Sequence, residues 1–350
     1  SWTNKRNERQ VRSMTKLRQM LLIIMTLTLL VSSFTSVSLA APRTLRIGFG
    51  TSEEHPVFRA LTEFKRIVEE ESNGSLRVQL FPNSILGSDR ELLEQITAGA
   101  LDMYQGSTAV LSSYVPEFMV LDFPFLWPSS EIQDIVLDGE FGTWLADLAM
   151  ERNVGFKVLN YWDAGFRQLT SNRPVHSPSD LVGQKIRLME NPLHMATFSA
   201  LGSTVVTVPF GELYGALQQR VADGQENPIP IIHAMRYNEV QKYLNLTGHL
   251  NTPLCLAISS KTWEALSQDE QALIVSASER ARDLQRIDNR ASEADLIADL
   301  QSKGMTVVEL TPEQLAEFQE KVQPVYDRFV DEVGRDVFNR LMSSIEDARN

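Results

Sequence analysis

The apolar residues of this chain change period from two to about 3.6 and back again, and this constrains the fold most. Leu45, Ile47 and Phe49 alternate with other residues, as in a strand with one buried face. Val57, Phe58, Leu61, Phe64, Ile67 and Val68 then recur at helical spacing, and Asn73-Gly74 closes that helix. Leu76, Val78 and Leu80 restore the strand period, and a helix over 89–98 leads to a short strand at Met103-Tyr104. Strand, helix, strand, helix in this order predicts an α/β domain with a largely parallel sheet. Gly48-Phe49-Gly50 invites a dinucleotide reading, but Glu53 stands where the third glycine belongs. Gly48 and Gly50 are better read as places where a turn or a ligand approaches the backbone closely.

The middle of the chain predicts a second domain. Val158–Trp162 reads as a strand leading out of the first, and Asp163–Phe166 as the crossing point. Strands are expected at Lys185–Leu188 and Val205–Val208, with helices near Leu193–Ala200 and Phe210–Gln219. The apolar run Leu254–Ser259 would return to the first domain. Two crossings imply a hinged cleft between two lobes, a preferred place for small ligands. From Gln268 to Ser302 neither Pro nor Gly interrupts the chain, so one helix about three times the average length is expected to span both lobes as a strut. A coiled-coil dimer contact is the alternative, but Leu273, Ile274, Ala277 and Leu284 sustain no clean heptad. The expected organisation is residues 41–164 with 253–292 in lobe I and residues 165–252 with 293–350 in lobe II.

Residues 1–40 read as a cleavable export leader. A basic segment ends at Arg18, an apolar segment runs over Met20–Val31, and Ser38-Leu39-Ala40 supplies small residues before a cut near Ala41. No cysteine lies near that cut to carry a lipid anchor. The formal charge of −12 understates the acidity of the remainder, because the leader holds six cations against Glu8. So acidic a body is a poor partner for nucleic acid or anionic membrane. An acidic ligand would therefore have to be held by a local positive pocket. The one cysteine, Cys255, lies in an apolar run and is read as a buried small hydrophobe. His55, His176, His194, His233 and His249 show no zinc spacing, and the chain has no GxSxG elbow and no phosphate loop. Neither metal nor cofactor is expected, and an enzyme acting on a small hydroxy acid is the lesser reading.

Two arginines stand out. Arg167 follows Phe166, and Arg187 lies between Ile186 and Leu188-Met189. An arginine among apolar residues must snorkel to water or meet an acceptor, and its planar fork suits a carboxylate. An exposed cation or a structural ion pair is the plainer alternative for each.

The ordered runs Gly165-Phe166-Arg167-Gln168-Leu169-Thr170-Ser171-Asn172-Arg173-Pro174, Pro178–Arg187, Ala200-Leu201-Gly202, Pro209–Gln218 and Asp223-Gly224-Gln225-Glu226-Asn227-Pro228 resemble the substrate-binding proteins of TRAP transporters, the DctP-type family. The likeness extends over residues 44–340. It implies a two-lobe periplasmic binding protein fold and a receptor that hands an organic acid to a membrane permease. A sensory ligand-binding domain is a further alternative, against which the lack of an apolar membrane span after residue 44 argues; a monomer is expected. The resemblance gives Arg187 the ligand carboxylate, Arg167 a supporting contact, Asn227 a donor role and Phe210 an apolar face against the ligand. It also brings the turns at Asp89 and at Ser107-Thr108 to the cleft. A dicarboxylate would need a second cation, for which Arg90 is the obvious candidate. A sugar acid would need hydroxyl partners such as Asp89, Ser107, Thr108 and Glu190. Glu190 lies three positions from Arg187, where it would either repel a second carboxylate or orient the arginine.

Overall fold

The computed structural model describes residues 41–349, with Met14, Arg18 and Met20; the expected leader otherwise lies outside the described residues. Eleven strands among the described residues form two sheets. The first joins β1 (Arg43–Phe49), β2 (Leu76–Phe81), β3 (Met103–Ser107), β4 (Phe156–Trp162) and β10 (Leu254–Ser259) in the order β2-β1-β3-β10-β4. The second joins β5 (Arg167–Ser171), β6 (Lys185–Leu188), β7 (Thr204–Thr207), β8 (Gly224–Pro228), β9 (Tyr243–Leu250) and β11 (Thr306–Glu309) in the order β11-β9-β5-β8-β6-β7.

The first sheet is less parallel than its sequence pattern predicts. β1 runs parallel to β2 and β3, whereas β10 is antiparallel to both β3 and β4. The reason is connectivity: the chain leaves this sheet after β4 and re-enters from the other sheet, at the end where β3 and β4 finish. β10 is buried along its whole length. Cys255 lies inside it, and burial pushes its thiol well above the ordinary value.

The first crossing is tied to a helix. Asp163 exchanges two hydrogen bonds with Gln285, its N–H donating to Oε1 (3.1 Å) and its carbonyl accepting from Nε2 (2.6 Å). Its carboxylate accepts from the Gly165 N–H (3.0 Å) and from Arg290 Nε (3.0 Å). Gly165 holds φ +86°, a left-handed value that a side chain would strain. The turn is thus fixed by glycine on one side and by the helix Gln268–Ala291 on the other.

That helix corrects one expectation. The unbroken run 268–302 forms two helices, Gln268–Ala291 and Glu293–Ser302, meeting at Ser292. The junction sits beside the crossing, where the Ser292 hydroxyl donates to the Asn289 carbonyl (3.2 Å) and competes with the helical ladder. The pair still reaches both lobes. Ile274, Ala277 and Ala281 enter the core formed with β1, β2 and β10, whereas Leu300 enters a core with Leu213, Ile232 and Leu244. Arg286 and Arg290 pair with Asp134 and Asp138 of helix Ser130–Asp138.

A second expectation, that everything after 293 belongs with lobe II, fails for the last helix. Helix Arg335–Arg349 packs on helices Ser130–Asp138 and Glu140–Glu151 of the first lobe. Leu341 and Ile345 share one apolar core with Phe141, Leu145, Phe198 and Phe329. An amphipathic helix goes wherever its stripe can be buried, and here the first lobe offers the surface.

The helix Pro56–Glu71 begins at the cleft end of β1, and His55 caps it. The imidazole is buried, Nδ1 accepts from the Val57 N–H (3.2 Å), and burial lowers its pKa from 6.5 to about 3. The folded chain takes up this proton only near pH 3, whereas the unfolded chain takes it up near 6.5. Between those values the unfolded state binds more protons, so stability falls as the pH falls through that window. In urea unfolding between pH 7 and pH 5, the parent should lose about 2 kcal/mol more than His55→Asn, which keeps a capping acceptor. Parallel losses would show that His55 is not held neutral.

Candidate functional site

Alternation along β6 sends Ile186 and Leu188 to the core and Arg187 to the opposite face. Arg187 is only 2 % exposed, although it faces the cleft. Its Nε donates to the Val208 carbonyl (2.8 Å), which fixes the plane of the guanidinium, and its Nη1 has no partner within the protein. Burial lowers its pKa, and nearby Tyr237 and Glu226 oppose that shift. A buried donor without an acceptor is costly, and a charged one more so. Arg187 also lines a chamber of about 230 Å3 with Ser88, Asp89, Met189, Pro209 and Phe210. The site therefore offers an oriented fork in a small, half-open space and lacks an anion of its own.

Arg167, the other candidate, answers to the plainer alternative. It is 3 % exposed and locked to Glu226, which is fully buried. Nε and Nη2 both reach the Glu226 carboxylate, the latter at 2.9 Å. Nη2 also donates to the Glu226 carbonyl (2.6 Å) and to Asn227 Oδ1 (3.1 Å). His249 Nε2 reaches the same carboxylate at 3.1 Å, while its Nδ1 meets the Thr247 hydroxyl at 2.7 Å. Burial alone would raise the Glu226 carboxyl, but Arg167 and His249 outweigh it and hold it far below the usual range. Burial lowers the His249 imidazole, and Glu226 opposes this. A neutral His249 donating to Glu226 and accepting from Thr247 satisfies every contact. Arg167 thus supports the cleft floor from within, its fork filled by a carboxylate of the same chain.

Asn227 is also held. Its Nδ2 donates to Gln225 Oε1 (2.6 Å) and its Oδ1 accepts from Arg167. One amide hydrogen remains to be donated. Phe210 lies on the short turn after β7 and reaches across to the first lobe. A Cβ built on Gly50 would come 2.9 Å from the ring. Gly50 thus makes room for this aromatic, which explains the glycine that the sequence left between a turn and a ligand. Further contacts join the lobes here: Ser52 donates to the Ala234 carbonyl (3.3 Å) and Arg236 pairs with Glu54 (3.2 Å).

Asp89 is half-buried and lines the chamber. The cap of its helix is Ser88, whose hydroxyl accepts from the Glu91 N–H, so Asp89 is left to face the cleft. Burial raises its carboxyl, opposed by the Tyr104 hydroxyl and Arg187. Ser107 and Thr108 do not reach the chamber. Ser107 accepts from the Ala109 N–H (3.2 Å) and Thr108 donates to the Pro253 carbonyl (2.9 Å), so both serve the local backbone. Glu190 does not orient Arg187. It turns outward to Arg90 of the first lobe, with Nη1 at 3.0 and 3.2 Å from its two oxygens. Arg90 therefore stands neutralised at the chamber rim.

Two features escaped sequence reasoning. Tyr237 is fully buried, its hydroxyl has no partner within the protein, and it interacts with Arg187 and Arg167. It follows Met235-Arg236 with no periodic pattern to mark it. His249 carries no sequence signal beyond its lack of metal spacing, and its pairing with Glu226 depends on β8 and β9 flanking β5. Among the described residues, no three His, Cys, Asp or Glu side chains converge as a metal site.

Comparison with known proteins agrees with this geometry. Residues 47–332 match the profile of the bacterial extracellular solute-binding proteins, family 7 (DctP). The 2,3-diketo-L-gulonate-binding periplasmic protein YiaO of Escherichia coli is 33% identical over 79% of this chain and 84% of its own. The sugar acid binding protein DctPAm of Advenella mimigardefordensis, solved with galactonate, superposes with a TM-score of 0.85 at 33% identity, covering 88% of this chain and 99% of that one. A TRAP periplasmic solute-binding protein of Sulfurospirillum deleyianum, solved with succinate, gives 0.83 at 32% identity, covering 87% and 100%. The two-lobe architecture, the oriented arginine of β6 and the matched profile lead to one conclusion: this chain belongs to the bacterial extracellular solute-binding protein family 7, the DctP-type receptors of TRAP transporters.

Proposed function

We propose that this protein captures a hydroxylated monocarboxylate of the sugar-acid type in the periplasm and delivers it to the membrane subunits of a TRAP transporter. The observation that carries the reading is the Arg187 guanidinium, buried, fixed in plane by the Val208 carbonyl and without an anion of its own. A ligand carboxylate meeting Nη1 supplies the missing acceptor in a charge-assisted bond. Asn227 adds its remaining amide hydrogen, Asp89 accepts from a hydroxyl, and Phe210 covers an apolar face. Arg187 and Phe210 belong to one lobe and Asp89 to the other, so the ligand favours the closed form because only closure brings both sets onto it. The receptor role of the family argues against catalysis. No helix among the described residues is long and apolar enough to cross a membrane, in keeping with a receptor that meets separate membrane subunits.

A dicarboxylate is the second reading, favoured by Arg90 at the chamber rim. It is the weaker one, because Glu190 already neutralises Arg90 and Asp89 adds another negative group. Thermal unfolding against aldonates, uronates and dicarboxylates separates the two. Binding to the native state alone adds about 4 kcal/mol at a thousandfold excess over Kd. A shift with aldonates or uronates alone is expected; a shift with succinate alone would overturn the monoacid assignment.

The two arginines should respond with opposite signs. Arg187→Met removes an unmatched buried charge, so the ligand-free protein should unfold at the same or a higher temperature while affinity for the acid falls on the order of 10²–10³-fold or more. Glu226→Gln leaves Arg167 buried without its anion and should cost about 3–5 kcal/mol of stability before any ligand is added. Calorimetric melting and titration of both variants measure this. An Arg187→Met protein that binds as tightly as the parent would remove Arg187 from the site.

A further inference from the structure

The ligand chamber is not isolated. Beyond it lies a second cavity of about 450 Å3, lined by Glu94, Ser112, Ser113, Tyr114 and Met119 together with Arg90, Val110 and Glu190. Those last three residues also line the inner chamber of about 230 Å3. The wall between the two spaces therefore contains the Arg90–Glu190 pair, which bridges the lobes at 3.0 Å. Both side chains are about two-thirds exposed, at 67% and 65%. An ion pair so open to water contributes little to stability, so it can be deleted without loss of the fold. Arg90 is held on its other side only by Glu94 of its own helix, at 3.3 Å.

The chemistry of the outer cavity is specific enough to name what fits it. Ser112 and Ser113 donate to the Ala109 and Val110 carbonyls (both 2.7 Å), which leaves their oxygens free to accept. Glu94 is an acceptor too, and Arg90, neutralised by Glu190 and Glu94, is the only cation of the lining. These acceptors and short hydroxyls, set among the apolar surfaces of Val110, Tyr114, Met119 and Pro192, suit a neutral sugar unit, which offers hydroxyls at its rim and an apolar ring face. A second carboxylate would find no matching charge.

Resting on the acid-receptor reading above, we propose that the Arg90–Glu190 pair is a bar that sets ligand length. It confines bound acids to the inner chamber, and the outer cavity is a tail subsite for a hydroxylated extension that this sequence keeps closed. The head group is read by Arg187 and the permitted length by the pair.

Gluconate and melibionate test this directly, since melibionate is gluconate carrying a galactosyl unit on its terminal hydroxyl. Titration calorimetry on the unaltered protein should give tighter binding of gluconate. In the double variant Arg90→Ala/Glu190→Ala, melibionate affinity should rise at least about tenfold while gluconate stays within about fivefold. Glu190→Gln, which removes the charge but keeps the bulk, should give a smaller rise. Unchanged or weaker melibionate binding in the double variant overturns the bar, as does equal binding of both acids by the unaltered protein. Failure of the unaltered protein to bind any acid in the unfolding panel would defeat the receptor reading and this proposal with it, whereas an unchanged melibionate affinity defeats the proposal alone.

Discussion

A guanidinium removed from water must find an anion, and one sheet of this fold buries two of them on β5 and β6, the strands on either side of β8. Arg167 on β5 receives a carboxylate from the adjacent β8, with a histidine from β9 completing the acceptor's contacts. Arg187 on β6 receives only a carbonyl for its Nε, and one terminal nitrogen is left over. The first arrangement is closed and self-sufficient. The second leaves a charged donor that the chain itself does not match. In the proposed reading, the cost of burying that cation is recovered as affinity for the ligand carboxylate.

The rest of the architecture serves to place that arginine between two movable walls. Each crossing between the sheets is a short segment, and the first is held by Asp163 against Gln285 and Arg290. The helix that carries those partners continues past Ser292 into the other lobe, so the hinge and the strut meet at one place. The last helix returns to the first lobe and buries its apolar stripe there. The contacts across the mouth of the cleft include Arg90 with Glu190, Arg236 with Glu54, the Ser52 hydroxyl on the Ala234 carbonyl, and Phe210 against Gly50.

Charge explains how an acidic protein can receive an acid. Its overall charge of −12 repels small anions at a distance, but within the Debye length a single desolvated cation dominates the local field. The acidic side chains around the chamber then sort among anions. In the proposed reading Asp89 accepts from a ligand hydroxyl and disfavours another carboxylate, while Glu190 pairs with Arg90 at the rim.

The sequence by itself determined the layered α/β class and the two crossings and singled out Arg167 and Arg187 alike, because apolar period, glycine placement and an arginine in an apolar run are local properties. It also contained Glu226 and His249 in plain view without revealing their use. Only the tertiary structure decided that Arg167 is matched internally and Arg187 is not. The two look alike in sequence, each an arginine beside apolar residues, and both strands pair with β8, yet the Glu226 carboxylate of β8 ion-pairs with Arg167 and not with Arg187. Strand order likewise reversed β10 within its sheet, and packing sent the final helix back to the first lobe. Helical periodicity declares that a face must be buried, but the partner that buries it is chosen by long-range geometry, which no local pattern encodes.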